Sequence, residues 1–334
     1  MSASVQLKIV SKRYRRAVKD AVHDVTLTVE QGEIMGVVGA SGSGKTTLLR
    51  MIAGLETPTD GTITVGQRMV AGPKRFVKPE ERGVGFVFQE GALFPHMNVI
   101  RNIAYGLHRL SKSTRVGKAE EALAMVGLSH KRLSFPHELS GGERQRIALA
   151  RALAPDPEVI LLDEPFSNLD PSLRAYLRNQ LLEIIRRVGA TAVIVTHDVM
   201  DALIIADRLA VFRDGALVQC APKDEVYHSP SDAYCARLFG PANLTPSIWL
   251  NKESLGGRTW LRPRDLVLSD RREDEAIEVQ IEEIQFQGDQ LGLLVQEIDG
   301  KDADTLLVYV PATERRNHAV GERRWLSIRR TSSQ

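Results

Sequence analysis

The sequence predicts an α/β fold, a mostly parallel sheet covered by helices and carrying an inserted helical subdomain, followed by a small β-rich domain. From residue 5 to about 196, short Val/Ile/Leu runs alternate with helical stretches, the order expected of parallel strands joined by crossover helices. Three of those runs lead directly into polar residues. Beyond Pro241 the texture changes to alternating apolar segments. A chain of 334 residues exceeds the size at which one hydrophobic core keeps growing. We therefore expect domains at 1–240 and 241–334.

Residues 33–38 read as a buried strand, 47–53 as a helix stopped by Gly54, 159–162 as a second strand and 192–195 as a third. Open α/β sheets bind ligands beyond the carboxyl ends of their strands. Residues 39–46, the Asp163-Glu164 pair and His197 all fall there. Residues 62–109 are less regular, and 110–140 look helical until Phe135-Pro136 interrupts them. A helical subdomain is expected over about 90–155. In the tail, 276–284 and 291–298 read as strands with Gly288 between them, followed by 306–310.

Lys and Arg number 44 against 42 Asp and Glu, a balance that argues against nucleic acid or a polybasic membrane surface as the main partner. No apolar run approaches membrane-spanning length, and the start lacks a signal-peptide layout, so a chain that stays in the cytosol is expected. Cys220 and Cys235 form no Cys-x-x-Cys pair and lie near no zinc-spaced His cluster, so both are read as reduced thiols.

Gly39-Ala40-Ser41-Gly42-Ser43-Gly44-Lys45-Thr46 fits G-x-x-x-x-G-K-S/T between a strand and a helix, the context that a phosphate loop requires. Its glycines let backbone N–H groups turn toward phosphate oxygens at a helix N-terminus. Lys45 is expected to reach the β- and γ-phosphates, Thr47 to extend the loop's contacts, and Thr46 to offer its hydroxyl to Mg²⁺. Asp163 and Glu164 end a strand as adjacent carboxylates, which repel unless a cation or a reacting water lies between them. Asp163 is assigned to Mg²⁺ and Glu164 to the attacking water as general base. Leu139-Ser140-Gly141-Gly142-Glu143 precedes an Ala- and Arg-rich helix over 144–154, and Ser140 with Glu143 has capping-box spacing. Two glycines at a helix start also make a second phosphate-facing surface.

A phosphate loop, then Leu-Ser-Gly-Gly-Glu, then an Asp-Glu strand end about twenty residues later resembles the ATPase subunit of ABC transporters, of the P-loop NTPase fold. The resemblance implies a head-to-tail pair of copies in which Ser140, Gly141, Gly142 and Glu143 of one complete the ATP site of the other. It further implies Tyr14 as the ring stacking on adenine, Gln89 as a switch glutamine reaching Mg²⁺, Ser167 to Asp170 as the D-loop, and His197 as the switch histidine. ATP and Mg²⁺ are the implied ligands.

Residues 215–219, 222–230 and 238–243 resemble the junction of bacterial importer ATPases, and residues 261–265 the start of their OB-like regulatory tail. This implies a peripheral subunit on the cytoplasmic face of the inner membrane, beneath two permease copies, with a solute receptor acting indirectly. A permease coupling helix is expected near 89–99. Residues 88–96 and 102–107 look most like ferric-iron importers, with sulfate, polyamine and phosphonate systems close behind; a non-transport ABC ATPase is the other alternative. Arg262 and Arg264 raise a second idea, that the tail senses a small anion.

Overall fold

Two sheets organise the first of the chain's two units, Met1–Val226 and Tyr227–Gln334. The structure is a computed structural model that describes residues 5–89, 91–167, 171–246, 258–273, 276–298 and 305–329. The first sheet is antiparallel. It takes β1 (Val5–Lys12), β2 (Val22–Val29), β4 (Asp60–Val65), β5 (Arg68–Gly72) and β6 (Arg75–Phe76) in the order β2-β1-β4-β5-β6. One face of β1 packs Val5, Leu7 and Val10 into the core. The register slips between Leu7 and Val10, where Ile9 adopts φ 51. A β-bulge of this kind re-aims the strand end.

The second sheet has the order β11-β10-β3-β9-β8-β7. Its parallel members are β3 (Ile34–Gly39), β7 (Val84–Val87), β8 (Val159–Asp163), β9 (Thr191–Val195) and β10 (Arg208–Arg213), with β11 (Ala216–Pro222) antiparallel at one edge. Strands β3, β8 and β9 are buried along their whole length, as helices on both faces require. Val195 pairs with both Val37 and Asp163. The register thus brings the ends of three strands to one edge.

Helix α1 (Lys45–Ala53) leaves β3 through the glycine loop and stops at Gly54, whose φ of 82 lets its N–H reach the Arg50 and Met51 carbonyls. Arg82, buried, also donates to the Met51 and Ile52 carbonyls at 2.8 and 2.9 Å. Helices α2 (Val99–Ala104), α3 (Lys112–Met125) and α4 (Gly141–Leu153) occupy the stretch between β7 and β8. The helix expected across 110–140 ends at Met125, because Gly127 turns at φ 71 and Pro136 opens a separate short turn. Helices α5 (Pro171–Val188) and α6 (Val199–Ile205) flank β9. Cys220 and Cys235 are free thiols, and no helix among the described residues is long and apolar enough to cross a membrane.

The division between units falls inside helix α7 (Lys223–His228), earlier than the expected boundary at 240. The physical reason lies in Arg262. Its guanidinium donates to the carbonyls of Tyr227, Ala236 and Gly240, binding helix α8 (Ala233–Leu238) to the second unit. There β12 (Asn243–Pro246) pairs with β13 (Arg258–Leu261), and β14 (Leu266–Ser269), β15 (Ile277–Phe286), β16 (Gln290–Glu297), β17 (Leu306–Pro311) and β18 (Arg323–Ile328) form an antiparallel sheet in the order β14-β18-β15-β16-β17. Val279, Ile281, Leu291, Leu293, Val295 and Val308 face its core.

Candidate functional site

The loop after β3 is held open by glycine conformations. Gly39, Gly42 and Gly44 have φ of 150, 79 and 98, a region that side chains with a Cβ rarely enter. Ser41 is exposed and Ser43 buried. Lys45 is 5% exposed and donates to the Gly39 and Ala40 carbonyls at 2.8 Å each and to Ser43 Oγ at 3.4 Å. Burial pulls its pKa down, opposed by the charges of Glu164 and Asp163. Helix α1 opens at Gly44 with no side-chain cap and no acid in its first turn. A desolvated ammonium hydrogen-bonded to neutral oxygens, beside an uncapped helix start, fits a phosphate chain.

Thr46 Oγ1 donates to Asp163 Oδ1 at 3.1 Å. Asp163 is nearly buried, and burial raises its pKa, with the Thr46 hydroxyl pulling the other way. A carboxylate so placed gains from a cation, so Thr46 and Asp163 fit Mg²⁺.

One residue on, Glu164 takes φ 47 and its N–H donates to the Val195 carbonyl at 2.9 Å. A non-glycine residue held there is strained, a condition typical of functional positions. Glu164 Oε2 lies 3.0 Å from His197 Nδ1 and 3.3 Å from Gln89 Nε2. Gln89 Nε2 also reaches Ser167 Oγ at 3.2 Å, and that hydroxyl donates to the Glu164 carbonyl at 3.1 Å. Gln89 and His197, more than a hundred positions apart in the chain, thus meet at the Glu164 carboxylate, with Ser167 tying Gln89 to the Glu164 main chain. Asp170 lies outside the described residues.

Sequence reasoning missed the support behind His197. Asp198 caps α6 through Met200 and Asp201 N–H groups, and Arg174 of α5 bridges Asp198 at 3.0 Å and the buried Asp201 at 2.6 Å. Arg178 pairs with Asp201 from one turn further along. The i,i+4 spacing of the two arginines was the available signal, but only the fold reveals their shared partner.

Tyr14 lies beside the start of α1, its hydroxyl 3.4 Å from Thr47 Oγ1, with 38% of the residue exposed. The Ser140–Glu143 segment makes a complete capping box: Ser140 Oγ accepts from Glu143 N–H at 3.2 Å and Glu143 Oε2 from Ser140 N–H at 2.8 Å. That main-chain bond is the leading cause holding Glu143 below the usual carboxylate range. The helix begins at Gly141 rather than 144, so both glycines form its first turn. A Cβ at Gly142 would meet Leu177 Cδ1 at 2.8 Å, which explains that glycine by packing of α4 on α5.

Arg262 is 5% exposed and its donors face main-chain carbonyls, while its guanidinium stacks 4.3 Å from the Tyr227 ring. This corrects the idea that it senses an anion: its role is to join α8 to the β unit. Arg262→Ala is expected to lower unfolding stability by about 3 kcal/mol, because several carbonyls lose a charged donor. Denaturant titration of the full chain checks it, and a change within error would remove the structural role.

The family described as ABC transporter matches residues 22–167. The Fe(3+) ions import ATP-binding protein FbpC 2 of Haemophilus influenzae is 40% identical over 291 residues, covering 81% of this chain and 82% of that protein. The sulfate/thiosulfate import ATP-binding protein CysA 1 of Agrobacterium fabrum is 42% identical over 289 residues, covering 80% of this chain and 82% of its own length. Among solved structures, a dimeric post-hydrolysis state of the ATP-binding cassette MJ0796 bound to ADP and Pi aligns with a TM-score of 0.57 at 31% identity. It covers 66% of this chain and 98% of that one.

Proposed function

Because this chain belongs to the ABC transporter family, as an ATP-hydrolysing subunit of the import type, we propose that it powers uptake of ferric iron, with sulfate as the second candidate cargo. The observation that carries the mechanism is Glu164, strained at φ 47 and shared by Gln89 and His197.

Lys45 and the N–H groups of the 39–47 loop hold the β- and γ-phosphates. Thr46, Asp163 and Gln89 would hold Mg²⁺, which when bound would neutralise the charge developing on the phosphate. Glu164 Oε2 orients a water in line with the γ-phosphorus and accepts its proton as the new P–O bond forms and the bond to the β-phosphate oxygen breaks. His197 donates to the γ-phosphate. Tyr14 stacks on adenine.

Ser140, Gly141, Gly142 and Glu143 complete the site of a second copy head to tail, with Ser167 and Asp170 at the contact. The dimeric state of the related cassette supports this reading. Permease subunits dock on a groove of about 750 Å³ lined by Met97, Ile100, Arg101, Tyr105 and His108 among others, directly after the 89–95 segment. The subunit works at the cytoplasmic face of the inner membrane, and a solute receptor acts through the permease.

Proteoliposomes carrying this chain, its permease and the receptor test the cargo. Ferric iron is expected to stimulate ATP hydrolysis and sulfate to leave it at the basal rate. Stimulation by sulfate alone would reverse the assignment.

A further inference from the structure

Lys12 Nζ lies over one face of the Tyr14 ring, 4.9 Å from the ring centroid. The ammonium is itself anchored, 2.9 Å from Glu56 Oε2 and donating to the Thr57 carbonyl at 2.8 Å, with its side chain 12% exposed. The flanking backbone is pinned to the same turn: Thr59 N–H donates to the Ser11 carbonyl at 2.8 Å, and Arg13 N–H to Thr59 Oγ1 at 2.9 Å. The end of β1 and the residues just after it, which bear Tyr14, are therefore fastened to the 56–59 connection that follows α1, the same helix whose start carries the phosphate loop. Tyr14 is tied to that start through Thr47. Tyr14 remains 38% exposed, which leaves room for a planar ligand beside it.

From this arrangement we propose that Lys12 is a positioning and specificity-determining residue for the nucleobase, acting through Tyr14. The inference rests on the reading of Tyr14 as the stacking ring. A cation behind an aromatic face draws electron density toward itself, leaving the opposite face better matched to an electron-rich purine. The Glu56 and Thr57 anchors keep the ammonium in register with the ring, so the platform is set before nucleotide arrives and less ordering is lost on binding.

The test is calorimetric titration of full-length Lys12→Met with ATP and, separately, with inorganic triphosphate, which has no base. ATP affinity is expected to fall roughly three- to tenfold, the range of a partly desolvated cation–π contact, with triphosphate affinity unchanged. Lys12→Arg is expected to restore ATP binding, since a guanidinium also stacks on the ring. Unchanged ATP binding in Lys12→Met, or a parallel loss for both ligands, would overturn the inference. Tyr14→Ala separates the two layers of the argument. If it leaves the ratio of ATP to triphosphate affinity at the wild-type value, the stacking role of Tyr14 fails; if it collapses that ratio while Lys12→Met does not, Lys12 alone is excluded.

Discussion

Glu164→Gln is expected to lower ATP hydrolysis by roughly a thousandfold, within the range for removal of a general base, while ATP binding persists. The substitution keeps the side-chain length and a neutral acceptor in place of Oε2, so the contacts to Gln89 and His197 at 3.3 and 3.0 Å can still form. What it removes is the capacity to accept a proton. It also removes one of two adjacent negative charges, which should ease phosphate binding. A nucleotide-bound dimer is therefore expected to accumulate. Steady-state phosphate release, nucleotide affinity and light scattering on the same sample read all three effects. Hydrolysis near the wild-type rate would place the proton acceptor elsewhere.

Lys45→Ala has the second large effect, and it acts on binding first. The ammonium is 5% exposed, so its hydrogen bonds to phosphate form where water competes little. Each charge-assisted bond contributes about 1.5–3 kcal/mol, and loss of one or two corresponds to roughly a hundredfold weaker ATP binding. The ligand-free fold should survive. Burial opposes the charged form of Lys45, so removing the charge offsets the hydrogen bonds it leaves behind at Gly39 and Ala40. Nucleotide titration together with thermal unfolding distinguishes the cases, because a collapse in Tm matching the loss of binding would make Lys45 a structural residue.

Much of the candidate site was legible because a phosphate loop is a pattern of local sequence. A glycine loop between strand and helix, a strand ending in Asp163-Glu164, and Ser140 three residues before Glu143 are short-range patterns whose geometry follows from backbone rules. The buried strands were readable for a related reason: parallel strands covered on both faces are apolar throughout. Strand β7 escaped notice because it has four residues with Gly85 among them, too few for periodicity to register. The antiparallel sheet was likewise hidden, since bulges at Ile9 and nearby break its alternation.

The sequence by itself marked the candidate groups for a nucleotide: the loop through Thr46 and the Asp163-Glu164 pair by their own short patterns, and Tyr14, Gln89 and His197 through the family resemblance. The first two are readable because their chemistry is written in a few adjacent residues. Only the tertiary structure decided which of them meet. Glu164 reaches Gln89 across 75 residues and His197 across 33, because pairing of β7, β8 and β9 aligns their ends. The same holds for Arg262, whose guanidinium could have faced an anion or a carbonyl. Long-range pairing and burial made that choice, and neither is a property of any short stretch of chain.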